Sequence, residues 1–267
     1  MFPYLDFGKK SIPMYSIFTL IGVCFALLYF KVRKKQYKLP EADAELLLVY
    51  CFIGVFLGAK FLFLLTVLPE LMSELHYLSS EPVAFLEKYL YSGFVFYGGL
   101  YGALLSGWIY CHVCKLDFYA FIQDLFPLFP LIHAFGRIGC FCMGCCYGCP
   151  SKRFGIAFSH SPIAPNGIPL LPVQLIEAVA ELILFFFLNR ISKRNNSGIV
   201  MLYSWMFSYG ILRLILESFR GDDYRGFLGP LSTSQILSLF TIVFGIVIYM
   251  KSKHHLHRTA DAKETRS

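Results

Sequence analysis

Long apolar runs limit what this chain can fold into more than any motif does. Seven of them, at about 14–30, 46–68, 94–112, 120–142, 171–189, 198–217 and 232–250, come close to the ~20 residues a helix needs to cross a bilayer core. In lipid a backbone must satisfy its own hydrogen bonds, so such runs are helices. Of the 267 residues 57% are hydrophobic and 15% charged, against roughly 25% charge in a soluble domain. The expected fold is all-α: a polytopic integral membrane protein of about seven transmembrane helices. There is no internal repeat, and no linker is long enough to separate domains. Residues 1–267 are therefore read as one domain, with 251–267 a basic cytoplasmic tail.

The formal charge of +7 does not point to nucleic acid, because the basic residues sit at helix ends, where the positive-inside rule accounts for them. The segment 31–38 (KVRKKQYK) carries five Lys or Arg, 189–196 (NRISKRNN) three, and 251–258 (KSKHHLHR) three. With seven spans all three fall on one side, the cytoplasm. The N-terminus and the loops 69–93, 143–170 and 218–231 then face outward. Lys9, Lys10, Lys152 and Arg153 oppose this weakly. The first run is long for a signal core and is followed by basic residues, not by a cleavage site, so no cleaved signal peptide is expected.

Ionisable side chains inside a span cost roughly 2.5–3.5 kcal/mol each and face a bundle interior or a wet cavity. Here they are grouped. In SYGILRLILESFRGDD (208–223), Tyr209, Arg213, Glu217 and Arg220 are spaced four, four and three apart and share a helical face. In LPVQLIEAVAEL (171–182), Gln174, Glu177 and Glu181 do the same, and Arg137 adds a third element. With the orientation above, these groups lie in the outer half of the membrane. One reading is a set of structural ion pairs. The other is a pocket in which arginine forks bind the phosphate of a lipid. A further run, SGFVFYGGLYGALLSG (92–107), is smooth with glycines. It suits either close helix packing or, at Gly98 and Gly99 beside Tyr97, a ligand approaching the backbone.

These residues resemble those of the prolipoprotein diacylglyceryl transferase family. GRIGCFCMGCCYG (136–148) is similar to that family's signature, usually written like GRIGNFINGELWG. Four other stretches agree in order: Tyr15 in PMYSIFTLIG, Gly58-Ala59-Lys60, FYGGL (96–100) and LPVQLIEA (171–178). YGILRLILESFRGD (209–222) closely resembles a further family segment. The resemblance implies transfer of the diacylglyceryl group of phosphatidylglycerol to the cysteine thiol of a prolipoprotein lipobox. It places the protein in the bacterial plasma membrane, with the N-terminus outside, and requires no cofactor and no metal. It implies Tyr97, Arg137, Arg213 and Glu217 as catalytic residues. Arg137 would hold the head group, Arg213 would stabilise the departing phosphate and Glu217 would hold the arginines in place. Tyr15, Gly98, Gly99, Cys140, Gly148, Gln174, Glu177, Tyr209 and Arg220 would complete the substrate site.

The chain departs from the family pattern at several positions. Tyr97 stands where histidine is usual, Cys140 for asparagine, Cys145 for glutamate and Lys60 for arginine. Tyrosine, with a pKa of about 10, is a poor base for a thiol near 8.5, whereas histidine near 6.5 suits the task. His133, one helical turn before Arg137, is a substitute base or a histidine simply hydrogen-bonded in place. A family member with another acceptor, or a phospholipid-binding or transport protein without catalysis, remains an alternative. Cys140, Cys142, Cys145, Cys146 and Cys149 have no loop between abutting Cys-x-x-Cys pairs, unlike the usual zinc pattern. They are read as replacements for the signature's polar residues, on a tight re-entrant path through Gly136, Gly139, Gly144 and Gly148, with a disulfide or a membrane redox or metal protein built on the cysteines as the alternatives.

Overall fold

Each of the seven apolar runs folds as helix. The computed structural model describes residues 2–8, 10–91, 93–194, 197–222 and 227–264. Lys9, Asn195, Asn196 and the last three residues of the basic tail lie outside them. The helices are α1 (Met14–Arg33), α2 (Glu41–Thr66), α3 (Leu68–Ser73), α4 (Tyr77–Ser80), α5 (Pro82–Leu86), α6 (Phe96–Val113), α7 (Phe118–Leu125), α8 (Leu128–Met143), α9 (Val173–Lys193), α10 (Gly198–Glu217) and α11 (Thr233–Glu264). The fold is mostly but not wholly helical. Three short antiparallel ribbons occur outside the helices: β1 (Tyr4–Phe7) with β2 (Lys10–Pro13), β3 (Ile156–Ala157) with β4 (Pro169–Leu170), and β5 (Phe227–Leu228) with β6 (Leu231–Ser232).

Four helices, α1, α2, α10 and the Thr233–Lys253 stretch of α11, are long and apolar enough to cross a membrane; α7 and α8, bent by 43° at their junction, make a fifth if taken together. Pro127 and Pro130 lie at that bend, where a ring without an N–H interrupts the helical ladder. Charge keeps α9 short of the same composition, and α6 is diluted by tyrosines, glycines and His112. The long apolar helices leave Leu20, Leu28, Leu57, Phe61, Phe240 and Phe244 exposed. Contiguous faces of that kind are costly in water and suited to lipid.

The chain forms two compact units, residues 1–37 with 122–267, and residues 38–121. In the first, α8 packs on α1 and α9, α9 on α10, and α10 on α11. The α1–α8 seam is close because Gly139 faces the backbone of Tyr15, where a Cβ would come within 2.8 Å of the Tyr15 Cα. Gly136 and Gly139 therefore lie within regular helix, and the irregular path expected over 136–148 begins only at Gly144. There φ is +77° and the amide caps α8 on the carbonyls of Cys140 and Phe141. Trp205 is fully buried at the centre, with Phe126 edge-on at 5.2 Å and Tyr209 stacked at 5.0 Å. Arg33, one of the five basic residues of 31–38, is buried. It donates to Gln36 Oε1 (3.0 Å), Tyr29 Oη (2.9 Å) and Asn189 Oδ1, so it joins α1 to α9.

In the second unit α2 and α6 pack through glycines. A Cβ on Gly58 or Gly98 would run into the other's carbonyl oxygen, and Gly54 and Gly102 repeat the relation one turn on. Gly98 is thus occupied by packing, and Gly99 faces Val55 on the same seam. Tyr97 is buried, its ring 6.1 Å from that of Tyr101. Lys60 donates to the carbonyl of Gly93 at 3.3 Å and lies 4.8 Å over the rings of both Phe63 and Phe94. In the connection from α3 to α6, Lys88 pairs with Glu70 (2.7 Å) and Glu74 (2.8 Å), and Tyr89 donates to Glu74. Those donors, Lys88 first, hold the Glu74 carboxyl below its usual range.

Candidate active site

Three elements of the first unit bring ionisable side chains together. Arg137 comes from α8, Gln174, Glu177 and Glu181 from α9, and Tyr209, Arg213 and Glu217 from α10; Arg220 and Asp222 follow in the turn after α10. The spacings of three and four work as expected, for Gln174, Glu177, Glu181, Arg213 and Glu217 are all buried.

The charges form an alternating chain. Arg137 NH2 lies 2.6 Å from Glu177 Oε2, and Arg213 NH1 meets the same carboxylate at 3.2 Å. Arg213 NH2 reaches Glu217 Oε2 at 3.0 Å, and Arg220 NH1 meets that oxygen at 3.3 Å. Asp222 closes the far end, accepting from Arg220 Nε at 2.8 Å and NH2 at 2.5 Å. Three guanidiniums therefore face three carboxylates. Asp222 stands in the sequence beside Arg220, yet it was not among the expected site residues, because it lies beyond the helical periodicity that selected the others. At the opposite end, His133 Nδ1 contacts Glu181 Oε1 at 2.9 Å, and its ring stands edge-on to Tyr209 at 6.0 Å. Arg137 Nε and Gln174 Oε1 are buried with no hydrogen-bond partner among the described residues. The first is an unused donor and the second an unused acceptor.

The segment after α8 fixes the far arginine. Residues 147–150 run as an extended strip between 170–171 and 219–221. Gly148 N donates to Leu171 O at 3.0 Å, Cys149 N to Phe219 O at 2.9 Å, and Gly221 N to Tyr147 O at 2.9 Å. Gly148 also bridges Arg220. A side chain at Gly148 would meet the Leu171 carbonyl oxygen at 2.6 Å, and one at Gly221 would meet that of Gly148 at 2.8 Å. Gly148 thus belongs to the site through its backbone. Gln174 ties the same segment down by donating to the Cys145 carbonyl at 2.7 Å.

Cys140, Cys145 and Cys146 converge here, their sulfurs all within 4.8 Å of one another. Arg137 NH1 points to Cys140 Sγ at 3.9 Å. Cys146 sits at φ +56°, a conformation uncommon outside glycine. The neighbouring thiols of Cys140 and Cys145, with the charges of Arg137 and Arg220, hold the Cys146 thiol well below its usual range. Tyr15, in the first turn of α1, is half-exposed within electrostatic reach of Cys140, Cys145 and Arg137. Among the expected residues, Tyr15, Arg137, Cys140, Gly148, Gln174, Glu177, Tyr209, Arg213, Glu217 and Arg220 share the first unit. Tyr97, Gly98 and Gly99 belong to the second.

The family model described as prolipoprotein diacylglyceryl transferase matches residues 4–251. The chain belongs to this family. Similar members include the phosphatidylglycerol–prolipoprotein diacylglyceryl transferase of Clostridium tetani (strain Massachusetts / E88), 34% identical over 244 residues, covering 91% of this chain and 94% of that protein. The second such transferase of Clostridium perfringens (strain 13 / Type A) is 30% identical over 248 residues, covering 92% and 93%. That of Rickettsia bellii (strain OSU 85-389) is 28% identical over 260 residues, with the same coverage. In this family member Arg137, Arg213 and Arg220 form the buried guanidinium chain, and Asp222 and the His133–Glu181 pair stand at its two ends.

Proposed function

We propose that this protein transfers the diacylglyceryl group of phosphatidylglycerol to the thiol of a lipobox cysteine in a prolipoprotein signal peptide. The reaction takes place at the outer leaflet of a bacterial plasma membrane, in a seven-span fold with the N-terminus outside. The named relatives support the reaction, and the family match over 4–251 covers most of the chain. The observation that carries the reading is Arg137. It is buried in the signature segment with its Nε–H unmatched and one edge on Glu177.

In this mechanism the acceptor thiol loses its proton, its sulfur bonds to the glyceryl carbon, and the carbon–oxygen bond to phosphate breaks. The electron pair leaves with glycerol phosphate, whose charge rises as it departs. Arg137 binds the phosphate, and Arg213 and Arg220 supply fixed positive charge where negative charge develops. Glu177, Glu217 and Asp222 keep the three guanidiniums oriented. His133, held through Nδ1 by Glu181, accepts the thiol proton, the task the family's histidine would serve at position 97; Tyr97 donates a hydrogen bond to the lipid head group. Tyr15, Tyr209 and Gln174 shape the site, and the backbone at Cys140 and Gly148 sets its walls. No cofactor enters these steps.

The test is transfer of labelled diacylglyceryl from phosphatidylglycerol to a lipobox peptide by purified protein, with Arg137→Ala alongside. Transfer that vanishes in the variant supports the assignment. Intact protein that binds phosphatidylglycerol but transfers nothing overturns the reaction and favours a binding role.

A further inference from the structure

Three thiols that the transfer reaction does not use stand together at the end of α8. Cys140 is in its last turn, and Cys145 and Cys146 follow the Gly144 cap. Their sulfurs lie within 4.8 Å of one another. At a metal–sulfur distance near 2.3 Å, three sulfurs around one ion stand about 4 Å apart, so small side-chain rotations close the triangle. The backbone already carries the strain that the grouping needs. Cys146 holds a left-handed conformation, and Cys145 is fixed by its carbonyl to Gln174 and by its Sγ–H toward the Cys140 carbonyl at 3.6 Å. Cys142 and Cys149 do not join the group. Its members come from a helix end and the turn behind it, not from paired Cys-x-x-Cys knuckles.

We propose that Cys140, Cys145 and Cys146 form a three-sulfur site for a thiophilic d10 cation such as Cu(I) or Zn(II). Thiolate ligands select such ions over hard ones. The ion displaces the remaining thiol protons to solvent, so binding is accompanied by proton release. Three thiolates with one such ion leave a negative complex. Arg137, with NH1 directed at Cys140, and Arg220, whose charge also acts on Cys146, are the counter-charges beside it. An ion there occupies the edge of the arginine chain and slows transfer; that consequence rests on the proposed reaction, whereas binding does not.

Cadmium(II) is the probe. Reduced, detergent-solubilised full-length protein is titrated anaerobically, following the sulfur-to-cadmium charge-transfer absorption and proton release. One equivalent is expected to saturate both signals. Cys145→Ser and Cys146→Gly, the second compatible with the left-handed backbone, weaken binding by more than about tenfold, the scale on which perturbed metal sites lose affinity. Cys142→Ser and Cys149→Ser leave it unchanged. Circular dichroism and elution as a single species establish that each variant is folded. Saturation that survives in Cys145→Ser and Cys146→Gly, or that is lost equally in Cys142→Ser, overturns the site. So does the absence of a stoichiometric end point in the unaltered protein.

Discussion

Asp222 grips Arg220 with both oxygens, Oδ1 to Nε at 2.8 Å and Oδ2 to NH2 at 2.5 Å. This bidentate contact makes the third carboxylate of the chain and turns what looks in the sequence like an excess of arginine into a balanced network. Removing one partner of a buried pair leaves the other uncompensated, at a cost of about 3–5 kcal/mol. Asp222→Asn is therefore expected to lower thermal stability in detergent by about 3 kcal/mol or more. The double variant Asp222→Asn with Arg220→Gln should recover some of that loss, and strict additivity of the two single effects would show that the pair is not coupled.

Arg213 touches both Glu177 and Glu217 and, through NH2, Ser234 of α11 at 3.4 Å. A lysine there keeps the charge but not the fork that spans two carboxylates. Arg213→Lys is expected to reduce the rate of transfer at saturating phosphatidylglycerol by about a hundredfold, as loss of one charge-stabilising donor does. A change confined to the apparent affinity for lipid would move Arg213 out of the chemical step.

His133 is held by Glu181, and the two are assigned to proton transfer. His133→Gln preserves size and a hydrogen-bonding group but not basicity. Transfer should fall by about a hundredfold or more, while lipid binding stays as it was. Unaltered turnover would return His133 to a packing role.

Two glycines of the signature segment should respond in opposite ways. A methyl group at Gly148 meets the Leu171 carbonyl oxygen at 2.6 Å, whereas one at Gly136 meets nothing nearer than Thr19 Oγ1 at 3.9 Å. Gly148→Ala should destabilise by about 1–3 kcal/mol and displace Arg220. Gly136→Ala, inside α8, should be neutral or stabilising by up to about 1 kcal/mol. Thermal unfolding of the two variants side by side decides the matter.

Acid should loosen the connection between α3 and α6. The donors from Lys88 and Tyr89 hold the Glu74 carboxyl below its usual range, so the folded chain binds that proton more weakly than the unfolded one. The stabilisation is complete above the ordinary glutamate value of about 4.3 and disappears as pH falls through the lowered folded value. Hydrogen exchange over 70–91 should therefore accelerate below that range while α2 and α6 stay protected. Glu74→Gln should abolish the difference.

The helices were legible in the sequence because apolar runs and the 3.6-residue period act locally. The same period correctly put Gln174, Glu177 and Glu181 on one buried face, and Arg213 with Glu217 on another. It was silent about Asp222, which is outside any helix, and about the thiol cluster, which depends on the cap at Gly144 and a left-handed Cys146. The glycines of 136–148 were expected to make one irregular path. Gly136 and Gly139 instead lie in continuous helix, with Gly139 against Tyr15, because helix-to-helix contact is decided by a partner distant in sequence. The ribbons that anchor Arg220 join residues 147–150 to 170–171 and 219–221, a pairing no local pattern announces.

The alternating chain also has a consequence for how a phosphate would arrive. Every guanidinium of that chain already has a carboxylate neighbour, so a phosphate that takes the unused Nε–H of Arg137 enters a charge-balanced site. As it draws Arg137 away from Glu177, that carboxylate keeps its second arginine, Arg213. Recognition in such an array is an exchange of neighbours at Arg137. It favours the ligand whose negative charge grows during the reaction over one whose charge stays constant.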